Sequence, residues 1–238
     1  MSDVVQETYD RRADELLAGG YRATWWYLAS KALADWCLLG AVDLRGKRVL
    51  NIGCSEPIDE LVYARVAAEW LSIDYSARSI EMARAILDNE LGPALRERVR
   101  VEVQDARALT FDSHSFDVVV AFSSLEHIQG IEDRRQAMQE IARVLKPGGH
   151  AVITVPNRWS YFAVTHAALM SSGASDYGYA HLYTPMELRA ELLRCGLRPL
   201  HFTSDLKLLG LPLPFRALMK PLQYFGSRMG YVTAKEAR

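Results

Sequence analysis

The stretch Arg48-Val-Leu-Asn-Ile-Gly-Cys-Ser-Glu-Pro57 decides the fold. Arg48 to Ile52 is a β-rich run, Gly53 permits a tight turn because it lacks a Cβ, and Ile58 to Ala68 follows with helical spacing. The unit then repeats. Trp70-Leu-Ser-Ile-Asp74 reads as a strand, and Ser76 to Leu87 as a helix with Ile80, Ala83 and Leu87 inward. Working outward, Val99 to Val103 alternates apolar and polar as a third strand. Phe116-Asp-Val-Val-Val-Ala-Phe122 is a continuous apolar run, the mark of a strand buried on both faces. Asp133 to Leu145 is a helix with Met138, Ile141, Ala142 and Leu145 on one stripe. Lys146-Pro-Gly-Gly149 stops it as a type II turn, with Gly148 supplying the positive φ, and His150 to Val155 is a fifth strand. Thr184-Pro-Met-Glu187 is a capping box with Pro at the first helical position, and Gly196 closes that helix. Leu197 to Phe202 and Tyr231 to Lys235 are two late strands. The alternation predicts an α/β fold, a parallel sheet with helices on both faces. Asp10 to Leu39, with Trp25, Trp26, Leu28, Ala29, Leu33 and Trp36 at helical spacing, predicts an N-terminal helical cap on the sheet.

Composition sets the boundaries. With 238 residues, half of them hydrophobic, 15 Gly and 9 Pro, the chain suits one folded domain and excludes a disordered or collagen-like protein. The parts expected are a cap (1–42), a ligand-binding core (43–157), an insert (158–183) and the C-terminal part of the sheet (184–238). A formal charge of −1 leaves no global positive field, so nucleic acid is not an expected partner. The three cysteines, Cys37, Cys54 and Cys195, form no C-x-x-C pair, which fits a reducing compartment. The first residues lack the basic-then-apolar pattern of a signal peptide, and Trp159 to Ser175 is too short and polar to span a bilayer. A soluble, cytoplasmic chain is expected.

In an open α/β sheet the ligand lies beyond the carboxyl ends of the strands. There stand Asn51-Ile-Gly-Cys-Ser-Glu-Pro57, Asp74-Tyr75, Gln104-Asp-Ala106 and Ser123-Ser-Leu-Glu-His127. Gly53 lets the backbone approach a ligand, Asp74 is placed to accept both hydroxyls of a ribose, and Asp105 with the N–H of Ala106 can meet an adenine edge. Singly, each has a plain structural reading: a turn glycine, or an Asp that assists a helix start. Their joint placement at successive strand ends describes a nucleoside site. A dinucleotide would bring its pyrophosphate onto the first helix, where Glu56, Asp59 and Glu60 oppose it. S-adenosylmethionine has no phosphate and carries two cationic groups, so it suits the acidic turn.

Together, Val49-Leu-Asn-Ile-Gly-Cys54, Ile73-Asp-Tyr-Ser76, Asp105-Ala106, Ser115-Phe-Asp-Val-Val-Val120, Leu125-Glu-His-Ile128 and Arg143-Val-Leu-Lys-Pro-Gly-Gly149 resemble the ordered motifs of class I S-adenosylmethionine-dependent methyltransferases. The resemblance covers about residues 46 to 157 and is nearest to the small-molecule, ubiquinone-biosynthesis-like branch. It implies a Rossmann-like, seven-stranded, mostly parallel sheet whose last strand is antiparallel. It also implies Gly53 beneath the methionine part of the cofactor, with Asn51, Cys54 and Ser55 in the same loop. By the same resemblance Asp74 is on the ribose, Tyr75 beside the adenine, Asp105 at its amino group and Ser123 on the floor. The sequence departs from the family pattern where Asn51 replaces Asp and where Ser55 and Pro57 replace glycines. Ser55 can instead cap the following helix, with Pro57 in its first turn.

Methyl transfer is an in-line displacement in which positioning supplies much of the rate. His127, after the fourth strand, and His181, in the insert, are the candidate bases for a hydroxyl acceptor, although a loop histidine is more often a structural hydrogen-bonder. Glu126 beside His127 does not define a metal site, since adjacent side chains seldom reach one ion. Trp159, Tyr161, Phe162, Tyr177, Tyr179 and Tyr183, with Gly173 and Gly178 as hinges, suit the walls of a pocket for an apolar or aromatic acceptor. Residues 206–238 carry Lys207, Arg216, Lys220, Arg228, Lys235 and Arg238 among leucines, read as a solvated face, with contact to an anionic membrane as the lesser reading. The expected function is methyl transfer to a small-molecule hydroxyl. The alternatives are a non-catalytic binding protein of the same fold, motivated by Ser55 and Pro57, and a nicotinamide-dependent oxidoreductase.

Overall fold

The computed structural model describes residues 3–19, 35, 38–160, 163, 179–204 and 224–236. Its elements are α1 (Asp3–Gly19), β1 (Arg48–Ile52), α2 (Ile58–Tyr63), β2 (Glu69–Asp74), α3 (Ala77–Glu90), α4 (Pro93–Arg96), β3 (Val99–Val103) and β4 (Phe116–Phe122). They continue with α5 (Ile131–Val144), β5 (Leu145–Pro156), α6 (Pro185–Arg194), β6 (Leu197–Ser204) and β7 (Arg228–Lys235). The seven strands form one sheet in the order β3-β2-β1-β4-β5-β7-β6, parallel except for β7, which runs antiparallel to both neighbours. The order reverses between β1 and β4, and there the carboxyl ends of the strands open a crevice.

The pleat sends alternate residues into two cores. Leu50, Ile52, Val119 and Ala121 pack under α5 and α6 with Met138, Ile141, Leu188 and Leu192. Val49, Trp70, Val118 and Val120 pack on the opposite face with Ile80, Ala83 and Leu87 of α3. Leu38 and Leu39 join that second core. The sheet is therefore covered on both faces, which is why its central strands read as unbroken apolar runs.

The local signals of the sequence take definite forms. Ser76 caps α3 by accepting from the Ser79 N–H at 2.9 Å, and Thr184 with Glu187 completes the capping box of α6. Gly148 has φ +74°, but the expected turn lies inside β5, as an irregularity between the pairs Phe116/Leu145 and Val118/His150. The helix ends at Val144 as expected, and Lys146–Gly149 forms the irregularity between the Leu145 and His150 pairs with β4. Two further expectations change. The helix after β1 ends at Tyr63 and tightens into a 3₁₀ turn over Ala64–Val66. Ser55 does not cap it: the residue preceding α2 is Pro57, with no side-chain cap.

Of the N-terminal segment expected to cap the sheet, residues 10–19, 35, 38 and 39 are described. α1 packs on α3 through Ala13 against Met82 and Ile86, and its polar side meets loops at the carboxyl ends of the strands. Trp25, Trp26, Leu28, Ala29, Leu33, Trp36 and Cys37 lie outside the described residues. So do Tyr161, Phe162, Gly173, Tyr177, Gly178 and the basic residues Lys207, Arg216, Lys220 and Arg238. Among the described residues no helix is long and apolar enough to cross a membrane.

Candidate functional site

Each strand end contributes one turn to the crevice. Gly53, after β1, has φ +77°, and its N–H donates to the Ile73 carbonyl at 2.8 Å. A Cβ there would lie 2.4 Å from the Cβ of Ser124, so the turn after β4 fills the space that the missing side chain leaves. The requirement for glycine comes from this close approach as well as from the left-handed backbone. Ser55 follows at φ +39°, a conformation costly for a residue with a Cβ.

Asp74 holds this turn to its own. Its Oδ2 accepts the Ser55 N–H and its Oδ1 the Ser76 N–H, both at 2.9 Å. A carboxylate has about four lone-pair sites, so the two oxygens keep capacity beyond these N–H groups for a ligand hydroxyl. Burial pushes the Asp74 carboxyl up, the backbone N–H groups of Ser76, Ser55 and Tyr75 oppose this, and the charge of Asp10 on α1 adds to the rise. Tyr75, beside it, is 37% exposed.

Other expected ligand-binding residues are committed elsewhere. The Asn51 amide donates to Glu60 Oε1 at 2.8 Å, in a buried group with Ser72 and Trp70. Burial raises the Glu60 carboxyl, and the nearby charge of Asp59 raises it further. An Asp at position 51 would set a second carboxylate against Glu60, so the departure from the family pattern goes together with this buried acid. Cys54 packs in the apolar core, and burial pushes its thiol up. The acidic turn is also less hostile to a phosphate than its sequence suggests. Glu60 and Asp59 are internal, and Glu56 Oε1 is held by the Arg12 guanidinium at 2.9 Å. The charge argument against a dinucleotide thereby loses weight.

Asp105 is clamped by Arg107, which donates from its backbone N–H at 2.9 Å and from Nε and Nη2 at 3.0 and 2.7 Å. Burial pushes this carboxyl up, but the Arg107 hydrogen bonds and charge outweigh it and leave it below the usual range. An adenine amino group at Asp105 has to share the carboxylate with the guanidinium. Ala106, next to it, is partly buried against the core.

The turn after β4 brings Ser123 at φ +52° and three buried polar atoms without a partner: Ser123 Oγ, Ser124 Oγ and Glu126 Oε2. Glu126 is 3% exposed, and burial pushes its carboxyl up to about 8. Such orphaned groups are costly unless a ligand or water completes them. Together with the spare lone pairs of Asp74, they fit a ligand that carries hydroxyl and ammonium donors.

His127 is 9% exposed and both ring nitrogens are engaged, Nδ1 with the Tyr179 carbonyl and Nε2 with the Tyr9 hydroxyl, each at 2.9 Å. His181 donates its backbone N–H to the Glu126 carbonyl at 2.8 Å, so the insert does return beside the β4 turn. Its ring, however, bonds Glu187 Oε1 at 2.7 Å and packs edge-on against Tyr183. His181 thus ties the insert to the capping box of α6. Tyr183, expected in a pocket wall, is fully buried, because residues near it run beside the end of β5 as a short bridge to Asn157. Trp159 is 41% exposed and remains available as a wall. Sequence reasoning missed Tyr9, Asp10 and Arg12, which reach the turns after β4, β2 and β1. Among the described residues no group of three or more His, Cys, Asp or Glu could hold a metal ion.

Comparison with known proteins agrees with this geometry. Residues 50–153 match the family model described as a methyltransferase domain. The ubiquinone biosynthesis O-methyltransferase of Alkalilimnicola ehrlichii is 34% identical over 51% of this chain and 45% of its own length. That of Bordetella avium is 28% identical over 69% of this chain and 68% of its own. The demethylmenaquinone methyltransferase of Clavibacter sepedonicus is 29% identical over 86% and 81%. In fold, the chain is similar to a possible histamine N-methyltransferase from Thermotoga maritima, with a TM-score of 0.68 at 16% identity over 98% of this chain and all of that one. The [4+2]-cyclase SpnF gives 0.68 at 20% identity over 98% and 96%, so the architecture serves more than one chemistry. Motifs, sheet order and relatives converge: residues 50–153 carry a methyltransferase domain, and the chain is similar to class I S-adenosylmethionine-dependent methyltransferases of the small-molecule branch.

Proposed function

We propose that the protein transfers a methyl group from S-adenosylmethionine to a hydroxyl of a small, apolar, ring-bearing acceptor. The observation that carries this reading is Asp74, a carboxylate aimed by two backbone N–H groups and retaining capacity for a ribose hydroxyl. The bound cofactor supplies a methyl group on a sulfonium, a leaving group that needs no acid from the protein. Tyr75 then lies along the adenine, and Asp105 with the Ala106 N–H meets its edge while Arg107 keeps the carboxylate ionised. Gly53 and Ser55 form the floor of the methionine part, with Asn51 and Cys54 fixing that loop from the core side. Ser123 completes the floor. His127 is the final base for the acceptor's proton, and His181 holds the insert that carries Tyr179.

Two observations favour a ring hydroxyl. The exposed Trp159 beside the end of β5 offers an aromatic wall, and two of the relatives named above are ubiquinone biosynthesis O-methyltransferases. Calorimetric titration should show binding of S-adenosylmethionine and S-adenosylhomocysteine but not NADH. With a short-chain alkylcatechol and methyl-labelled cofactor, the label should appear in a methyl ether. Binding of NADH alone would overturn the cofactor, and label only on carbon or nitrogen would overturn the hydroxyl.

A further inference from the structure

We propose that Tyr9, on the N-terminal helix α1, is the catalytic residue that receives the acceptor's hydroxyl proton, with His127 behind it as the final base. The proposal rests on the methyl-transfer reading above and assigns a residue on an element outside the sheet. It starts from the tautomer of His127. The Tyr179 carbonyl can only accept, so Nδ1, 2.9 Å away, carries the proton, and Nε2 presents its lone pair. The Tyr9 hydroxyl, 2.9 Å from Nε2, therefore donates to it. The two rings meet edge-on, 5.5 Å apart, and cover the imidazole. With Nδ1 bonded to the insert and Nε2 to Tyr9, an acceptor hydroxyl has no direct route to the imidazole. A tyrosine oxygen both donates and accepts, so the acceptor can donate to Tyr9 while Tyr9 donates to His127.

The placement of Tyr9 is built into the fold. On the same helix, Asp10 takes the Ser76 hydroxyl, two residues from Asp74. Arg12 holds Glu56, beside Ser55. Asp14 pairs with Arg78, and Ala13 packs on Met82 and Ile86. Tyr9 is thus fixed to the two turns that would carry the cofactor, and its hydroxyl is aimed at the third.

The step balances. The acceptor oxygen forms its bond to the methyl carbon as the carbon–sulfur bond breaks, and that electron pair stays on sulfur. The acceptor's proton passes to the Tyr9 oxygen while the Tyr9 proton passes to Nε2. The positive charge that began on sulfur ends on the imidazolium, whose Nδ1–H remains on the Tyr179 carbonyl. A ring hydroxyl and a tyrosine both have ordinary pKa values of about 10, so exchange between them costs little and no tyrosinate accumulates.

Tyr9→Phe keeps the ring and the helix packing and removes only the hydroxyl. With the alkylcatechol probe, it should lower kcat by about 10²–10⁴-fold, the usual span for a general base, with cofactor affinity within about twofold of wild type. Long-range proton–nitrogen spectra should show His127 in the Nδ1–H tautomer in both proteins, with the Nε2 resonance moved in the variant alone. His127→Gln should cost a similar factor, and the double variant no more than either single one, because relay members act as a unit. Wild-type kcat in Tyr9→Phe, multiplicative losses in the double variant, or an unmoved Nε2 resonance would each overturn the relay. A wild-type protein that binds the cofactor yet methylates no phenol or catechol removes the underlying reading, and the relay with it. That failure is seen without any variant.

Discussion

The two halves of the crevice are built differently. On the cofactor side, Asp74 is held by the N–H groups of Ser55 and Ser76, and Asp105 by Arg107 two residues on, so main chain and near neighbours do most of the positioning. On the acceptor side, His127 is held by Tyr9, 118 residues away, and by Tyr179, 52 residues away. The first arrangement follows once the strands pair. The second requires α1 and the insert to arrive from separate directions. A cofactor shared across a family can be served by a fixed local frame, whereas acceptors differ, and the residues that meet them come from the segments outside the sheet.

The frame should be the easier half to break outright. Gly53→Ala sets a Cβ 2.4 Å from that of Ser124 and demands φ +77° of a residue with a side chain. Overpacking and left-handed strain together should cost about 2–5 kcal/mol of stability, read by denaturant unfolding. Ser124→Gly in the same chain should return part of the loss. If it returns none, the contact between the two turns does not set the requirement for glycine. Asp74→Ala comes next: cofactor affinity should fall by about 1.5–3 kcal/mol in calorimetry, with the thermal transition largely kept. Unchanged affinity would remove the ribose assignment.

The contrast also explains what could be read from the sequence. The strands and the turns carrying Gly53, Asp74 and Asp105 have local signatures: apolar runs, a turn glycine, an acid at a strand end. The capping box at Thr184 was legible for the same reason. Partners that depend on packing were not. Nothing in the sequence links residue 9 to residue 127, shows that Glu60 turns inward to Asn51, or predicts that Tyr183 is core. Charge counted along the chain misled most at Glu56, Asp59 and Glu60, because a count does not distinguish a buried or paired carboxylate from a solvated one.

The acceptor side should reveal itself through pH. Glu126 is buried with its carboxyl pushed up to about 8, against an ordinary value near 4.5 in the unfolded chain. The unfolded state therefore releases this proton first. The stability the protonated group contributes is fully present below about pH 4.5 and is lost as pH rises through about 8. The slope from this one group approaches 1.4 kcal/mol per pH unit between pH 6 and 7. Glu126→Gln should flatten the stability profile in that interval, measured by unfolding at fixed temperature. A variant that keeps the wild-type slope would place the titrating group elsewhere.

The smallest effect belongs to the position where the frame departs from its family. Ser55 sits at φ +39° where the family pattern has glycine, and its contribution to the site is a backbone N–H, which glycine also has. Ser55→Gly removes the left-handed penalty, roughly 1–2 kcal/mol, and returns part of it as the greater freedom of glycine in the unfolded chain, roughly 0.5–1 kcal/mol. Stability should therefore rise by about 0.5–1 kcal/mol while cofactor affinity stays within twofold, because the hydrogen bond to Asp74 is preserved. The paired measurement separates two roles that the sequence leaves merged. A gain in stability with constant affinity makes Ser55 a tolerated strain in a frame held by main chain. A loss of affinity would mean that the Ser55 hydroxyl itself meets the ligand, and the cofactor side would then depend on side-chain identity as much as the acceptor side does.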